Sequence, residues 1–210
     1  MTKLILARHG ETAWNVEKVF RGRADVALDE VGIKQAELLG KYLSSLKLQA
    51  IYSSPLRRAL DTARIVARYQ QLSVQIADGL TDFDYGKWQS LTAQEVKRQY
   101  PTLYHEWLTN PHTVRMPEGE SLEDVGARAL PVVEEVIAKY QGEVLLVSHR
   151  VVNKVLICSL LGLDNSRFWN IKLDVAAITI FEYAGGRFIL ARHNDTSHLR
   201  ELQQPSFADF

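Results

Sequence analysis

"GEVLLVSHRVVNKVLICSLLG", residues 142–162, decides the fold. Its first seven residues are a short apolar run entered from a glycine. The run is too short for a globular helix and too uniformly apolar for a strand with one wet face, so it is expected to be a strand covered on both sides. It passes through His149 straight into helical spacing over 150–161. A buried strand that feeds a helix at once is the repeating unit of a parallel α/β layer.

Outward from there the same alternation recurs. "KLILA" at 3–7 and "AIYSS" at 50–54 are expected as buried strands, with a short strand near 73–77. Residues 30–45 have helical periodicity, with Ile33, Ala36, Leu39 and Leu43 on one side. A helix over 55–70 is expected to start at a Ser54 cap with Pro55 in its first position. Residues 92–109 look helical but broken at Pro101, and Ser121 is placed to cap a helix from 122 to about 140 despite Pro131. "AAITIFEYAGGRFILARHN", 176–194, is an apolar hairpin turning at Gly185-Gly186. The pattern predicts one α/β domain over 1–210, a three-layer sandwich with a mostly parallel central sheet. Residues 80–122 are less regular and are expected to fold over the sheet as a lid.

Composition narrows the function. Apolar residues make up 46% and charged residues 24%, enough for a sizeable core. The 25 basic and 25 acidic residues cancel, which argues against a nucleic-acid or membrane-surface partner. Anion binding must then come from local clustering. The single cysteine, Cys158, excludes an intramolecular disulfide and sits in an apolar helical stretch as core filler. The first residues have no signal-peptide pattern and no run is apolar enough to span a bilayer, so a cytoplasmic location is expected.

Local clustering is visible at two strand ends. His9 ends the first strand and His149 ends the strand at 143–148. Ligands of parallel α/β sheets bind beyond the carboxyl ends of the strands, so parallel neighbours would bring both histidines together. Arg57 and Arg58 fall in the first turn of a helix, where the dipole already disfavours cations. An anion bound there would compensate them. Arg58 is the candidate ligand, and Arg57 is expected to point into solvent.

These residues carry a resemblance. "LARHGETAWN" (6–15) resembles the Arg-His-Gly motif of the histidine phosphatase superfamily, the phosphoglycerate-mutase-like family. "SSPLRRALDTA" (53–63), "LTDFDYGKWQSLT" (80–92) and "VLLVSH" (144–149) are similar to its phosphate-binding, acid-bearing and second-histidine motifs. The resemblance implies a nucleophilic His9 that forms a phosphohistidine, later hydrolysed by water. A backbone carbonyl would hold the other ring N–H and fix the tautomer. Arg8, Arg58 and His149, helped by Asn15, would cage the phosphoryl oxygens, and no metal or cofactor is required. The family acid is usually a glutamate; the matching residue here is Asp82, one methylene shorter. Periodicity does not choose between Asp82 and Asp84, which face the same way in an extended segment; the motif chooses Asp82. The family usually has glycine after the second histidine. Here it is Arg150, expected to point to solvent or to contact an acidic substrate.

By the same resemblance Arg21 and Gly22, in "FRGRADVALDEVG" (20–32), lie where the family contacts substrate beside the phosphate, Arg21 as a carboxylate ligand. His198 in "NDTSHL" (194–199) is a further candidate. The stretch "LLGLDNSRFWNIKLDVAAITIFEY" (160–183) and the His198 tail look most like metal-independent phosphoserine phosphatases, with alpha-ribazole-phosphate and broad-specificity phosphatases also similar. The expected substrate is thus a small phosphorylated metabolite. A cofactor-dependent phosphoglycerate mutase and a non-catalytic phospho-ligand module are the alternatives. "DFD" at 82–84 superficially matches the aspartate pair of haloacid dehalogenase-type enzymes but lacks their preceding N-terminal strand. A homodimer is expected if Trp169 or a strand edge is exposed.

Overall fold

The computed structural model describes residues 1–202; the end of the expected 1–210 domain, residues 203–210, lies outside them. Six strands form one sheet in the order β3-β2-β4-β1-β5-β6. They are β1 (Thr2–Arg8), β2 (Leu48–Ser53), β3 (Val74–Ile76), β4 (Glu143–Ser148), β5 (Ile178–Ala184) and β6 (Arg187–Asp195). The four strands β3, β2, β4 and β1 run parallel, and the β5–β6 hairpin adds two antiparallel strands on the β1 side. β1 lies beside β4, with Arg8 in register with Ser148.

Strand alternation makes two cores. Ile5 and Ala7 of β1, Ile51 of β2 and Leu145 and Val147 of β4 face one side. There they meet Leu39 and Leu43 of α2 (Glu30–Leu43) and Ala59, Ala63 and Val66 of α3 (Arg57–Gln70). Leu4, Leu6, Tyr52, Val144 and Leu146 face the other side. They meet Val125, Ala129 and Val133 of α6 (Leu122–Lys139) and Val151, Val152 and Val155 of α7 (Arg150–Leu160). Buried apolar side chains on both faces of every central strand account for the near-continuous apolar runs.

Local expectations hold with three corrections. Ser121 caps α6 through a capping box with Asp124, and the 92–109 stretch divides into α4 (Ala93–Gln99) and α5 (Pro101–Thr109). α3, however, begins at Arg57 and has no side-chain cap, so Ser54 is not its cap and Pro55 precedes it. Ile33 is exposed; the buried arc of α2 is Gly32, Gln35, Ala36, Leu39, Gly40 and Leu43. Residues 80–122 pack over one face of the sheet. Phe83, Tyr85, Trp88, Trp107, Val114 and Met116 belong to the same core as Leu4 and Leu6. Trp169 is half-buried rather than exposed, with its indole N–H on the Trp107 carbonyl at 2.6 Å. No helix among the described residues is long and apolar enough to cross a membrane.

Candidate active site

The pairing of β1 with β4 builds the centre. The His9 N–H donates to the Ser148 carbonyl at 3.0 Å, continuing the ladder one residue past the strand. The His9 carbonyl accepts from Ala176 N–H at 3.1 Å, which holds the residue from the β5 side as well. His9 and His149 consequently face each other with ring centroids 5.2 Å apart.

The tautomer of His9 follows from one contact. Its Nδ1 lies 2.6 Å from the Gly10 carbonyl oxygen, which can only accept, so Nδ1 carries the proton. Nε2 keeps its lone pair, the state in which an imidazole nitrogen can act as a nucleophile. Burial holds the His9 pKa well below the ordinary histidine value, and Arg58, His149, Arg21 and Arg8 push it the same way. His149 is lowered likewise, first by burial and then by Arg58, Arg21, Arg128 and Arg8. Its Nε2 is 2.8 Å from the Ser54 hydroxyl, and its Nδ1 is 3.5 Å from Asp82 Oδ2.

Close backbone approach supports the turn after His9. A Cβ on Gly10 would lie 2.5 Å from the Gly32 carbonyl oxygen, and one on Gly32 would lie 2.1 Å from the Glu11 carbonyl oxygen. The start of α2 thus packs against the Arg-His-Gly turn with no room for a side chain. From α3, the Thr62 hydroxyl donates to the Arg58 carbonyl at 2.7 Å and accepts from Gly10 N–H at 3.1 Å.

Arg58 is fully buried in a tight frame. Its guanidinium donates to the carbonyls of Ala24 and Gly22, each at 2.7 Å, and to Asp82 Oδ2 at 2.8 Å. Gly22, at φ +50°, is left-handed, and its carbonyl acts through Arg58. Arg8 donates to the Leu173 carbonyl at 2.6 Å. Arg21, half-buried, has its pKa pushed down to about 9 by desolvation and by Arg8 and Arg58, so it remains a cation at neutral pH. Arg57 is exposed, as expected.

Asp82 and Asp84 do not face the same way, because the segment is a turn and not a strand. Asp82 is buried between Arg58 and His149, with Oδ1 accepting from Phe83 N–H at 2.8 Å. Asp84 turns outward: it accepts from Gly86 N–H at 2.9 Å and pairs with Arg23 at 3.3 Å. The geometry therefore presents Asp82, and not Asp84, to the histidine pair.

Arg128 on α6 clamps this loop, a role with no sequence signal. It donates to the carbonyls of Gly79, Thr81 and Asp82 and pairs with Glu120. Ser54 is the other residue missed. Two further expected residues are placed by local contacts. Asn15 is half-buried and caps α1 (Ala13–Val16), its Oδ1 accepting from Thr12 N–H at 3.0 Å. His198 packs on the Tyr42 ring, with Nε2 3.1 Å from the Ala176 carbonyl, behind the strand end that holds His9. Arg150 is buried, not solvent-facing.

The result, among the described residues, is an imidazole with a free Nε2 lone pair beside several guanidinium cations, with Asp82 between Arg58 and His149. Such a group is costly without a bound anion, and a phosphoryl dianion with oxygens in a plane suits planar donors.

Comparison with known proteins agrees. The family model described as histidine phosphatase superfamily (branch 1) matches residues 4–196. Phosphoserine phosphatase 1 of Hydrogenobacter thermophilus is 38% identical over 203 residues, spanning 96% of each chain. The structure of Bacillus stearothermophilus YhfR superposes with a TM-score of 0.90 at 35% identity, covering 95% of this chain and 100% of that one. A phosphoserine phosphatase from Entamoeba histolytica, in complex with 3-phosphoglyceric acid, superposes at 0.84 with 30% identity, covering 95% and 100%. With the paired histidines, the buried arginines and a match over nearly the whole described chain, this protein belongs to the histidine phosphatase superfamily.

Proposed function

We propose that the chain is a metal-independent phosphatase of small phosphomonoesters in the cytoplasm, with phosphoserine the first substrate to test. The observation that carries this is the Nδ1 contact of His9 with the Gly10 carbonyl, which leaves Nε2 unprotonated beside Arg8, Arg21 and Arg58. The relatives named for phosphoserine support the substrate.

The steps follow from the positions. His9 Nε2 attacks phosphorus while the bond from phosphorus to the ester oxygen breaks. Arg8, Arg58 and His149 offer donors to the oxygens that carry charge during transfer. Asp82, in its protonated form, gives its proton to the departing alkoxide. A bound dianion competes with Asp82 for Arg58. In the second half, water attacks the phosphohistidine, Asp82 takes the water proton, and the bond from phosphorus to nitrogen breaks to release phosphate.

The test is phosphate release from phosphoserine in EDTA, with quenching in alkaline SDS to trap an acid-labile phosphoenzyme. Release with a trapped phosphohistidine is the expected result. Isomerisation of 3-phosphoglycerate outpacing release would make the chain a mutase. Neither activity and no phosphoenzyme would leave a binding module.

A further inference from the structure

Ser54 and His149 meet where β2 and β4 end side by side. Ser53 and Val147 are register partners, and the Ser54 N–H donates to the Val147 carbonyl at 3.0 Å. The chain then turns at Pro55, and the Leu56 N–H reaches back to the Ser54 hydroxyl oxygen at 3.3 Å. That oxygen lies 2.8 Å from His149 Nε2, and both residues are fully buried.

A buried hydroxyl has one proton to place. The Leu56 N–H already points at the Ser54 oxygen, and among the described residues His149 Nε2 is the acceptor within reach of the Ser54 proton. A proton on Nε2 would leave that hydroxyl proton buried with no acceptor, which carries the full desolvation penalty of an unpaired donor. Nε2 therefore accepts, and Nδ1 carries the proton of the neutral ring. The ring is neutral at ordinary pH because burial, and then Arg58, Arg21, Arg128 and Arg8, hold its pKa down. A neutral imidazole has a single N–H to offer, so the tautomer decides what His149 shows the site.

Nδ1 faces the site. It is buried, makes no hydrogen bond, and stands 3.5 Å from Asp82 Oδ2, the oxygen bonded to Arg58. A phosphoryl oxygen drawn in by Arg58 would give that N–H the acceptor it lacks. With the proton on the other nitrogen, His149 would turn a lone pair toward the dianion and repel it. We propose that Ser54 is a positioning residue for phosphoryl transfer: its hydroxyl donates to His149 Nε2 and thereby selects the tautomer whose Nδ1–H bonds a phosphoryl oxygen. The phosphoryl acceptor rests on the phosphatase reading above; the tautomer does not. His9 and His149 then carry their protons on the same ring atom and use opposite ends, His9 attacking through bare Nε2 and His149 donating through Nδ1.

The experiment is long-range proton–nitrogen NMR of the histidine rings in the full chain at neutral pH, with the His149 signals identified by their loss in His149→Gln. A pyrrole-type Nδ1 and a pyridine-type Nε2 are expected. The reverse assignment in the wild type would overturn the proposal, whatever the Ser54 variants do. Inorganic phosphate should move the Nδ1 proton resonance downfield as it gains an acceptor; a resonance unmoved at saturating phosphate would overturn the donor role. In Ser54→Ala the ring should pass at least in part to the Nε2–H form. Its kcat should fall about 10- to 100-fold, by the same factor for phosphoserine and p-nitrophenyl phosphate, because a donor to phosphoryl oxygen and not to the leaving group is weakened. Ser54→Thr keeps the hydroxyl and should restore both tautomer and rate. A Ser54→Ala ring still protonated at Nδ1, or a rate loss with no change of tautomer, would mean a strut and overturn the proposal. Wild-type protein that shows Nδ1–H but releases phosphate from neither ester would instead overturn the phosphatase reading, and with it the phosphoryl acceptor but not the tautomer set by Ser54.

Discussion

His9 and His149, separated by 140 positions along the chain, stand with ring centroids 5.2 Å apart because Arg8 and Ser148 are register partners in neighbouring parallel strands. Neither ring owes its place to a loop. Each follows the last residue of a strand buried on both faces, so the separation of the two rings is set by the sheet itself. Sites carried on rigid elements hold geometry more tightly than sites on loops.

The nucleophile is the first consequence to test. His9→Asn keeps a polar side chain but cannot form the phosphoenzyme. Turnover should fall on the order of 10⁴-fold or more, and acid-labile phosphate on the quenched protein should vanish. Residual turnover within tenfold of wild type would mean that water attacks directly.

The proton donor is separable from the nucleophile. Asp82→Asn should slow an alkyl phosphate by about 10²- to 10³-fold, because its alkoxide needs the proton. A p-nitrophenyl ester, whose leaving group needs none, should lose less than about tenfold. Equal losses on the two esters would remove Asp82 from that role. Asp84→Asn, which alters only the Arg23 side of the turn, should leave the ratio of the two rates unchanged.

Burial of two neutral imidazoles gives stability a pH dependence of known sign. Both His9 and His149 have folded-state values well below the ordinary one. Above about pH 6.5 both are neutral in either state and contribute no slope. Below it the unfolded chain takes up protons that the folded chain refuses, so stability falls as pH falls. Each histidine contributes up to about 1.4 kcal/mol per pH unit until its folded value is reached. Urea midpoints between pH 7 and 5 should show the decline, and a His9→Asn variant should show a shallower one. In NMR titration the His9 ring should protonate well below the ordinary histidine value.

Close packing after the Arg-His-Gly turn predicts a cost for one methyl group. In Gly32→Ala the new Cβ would lie 2.1 Å from the Glu11 carbonyl oxygen, so the start of α2 must move. Overpacking of this kind costs about 1–3 kcal/mol, a loss of roughly 3–10 °C in Tm for a chain of this size. Glu11 is two residues from His9, so kcat/KM should fall with it. An unchanged melting temperature would show that the turn yields freely.

The legible part of the molecule was the part governed by short-range pattern. Strands buried on both faces announce themselves as unbroken apolar runs, and the histidines stand at the ends of two of them. Ser54 misled because Ser-Pro before a helical stretch imitates a cap. Its hydroxyl instead crosses from the end of β2 to His149, a contact that exists only once β2 and β4 pair. Ile33 misled because periodicity gives glycine no weight, yet Gly32 and Gly40 are where α2 comes closest to its neighbours. Arg150 and Trp169 read as surface residues because their partners come from distant segments, around Tyr85 and Trp107. Arg128 is one arginine among many until the three carbonyls it holds are seen together.

The strand order has a bearing on how the chain is made. β4 enters between β2 and β1, yet it is the fourth strand to leave the ribosome. Until about residue 148 has emerged, β1 and β2 each present an unpaired apolar edge, a hazard for association with other nascent chains. The same insertion delivers His149 to His9. β5 then covers the other edge of β1 and Ala176 takes the His9 carbonyl, so the histidine pair and the closed edges of β1 are both completed only by the last third of the chain.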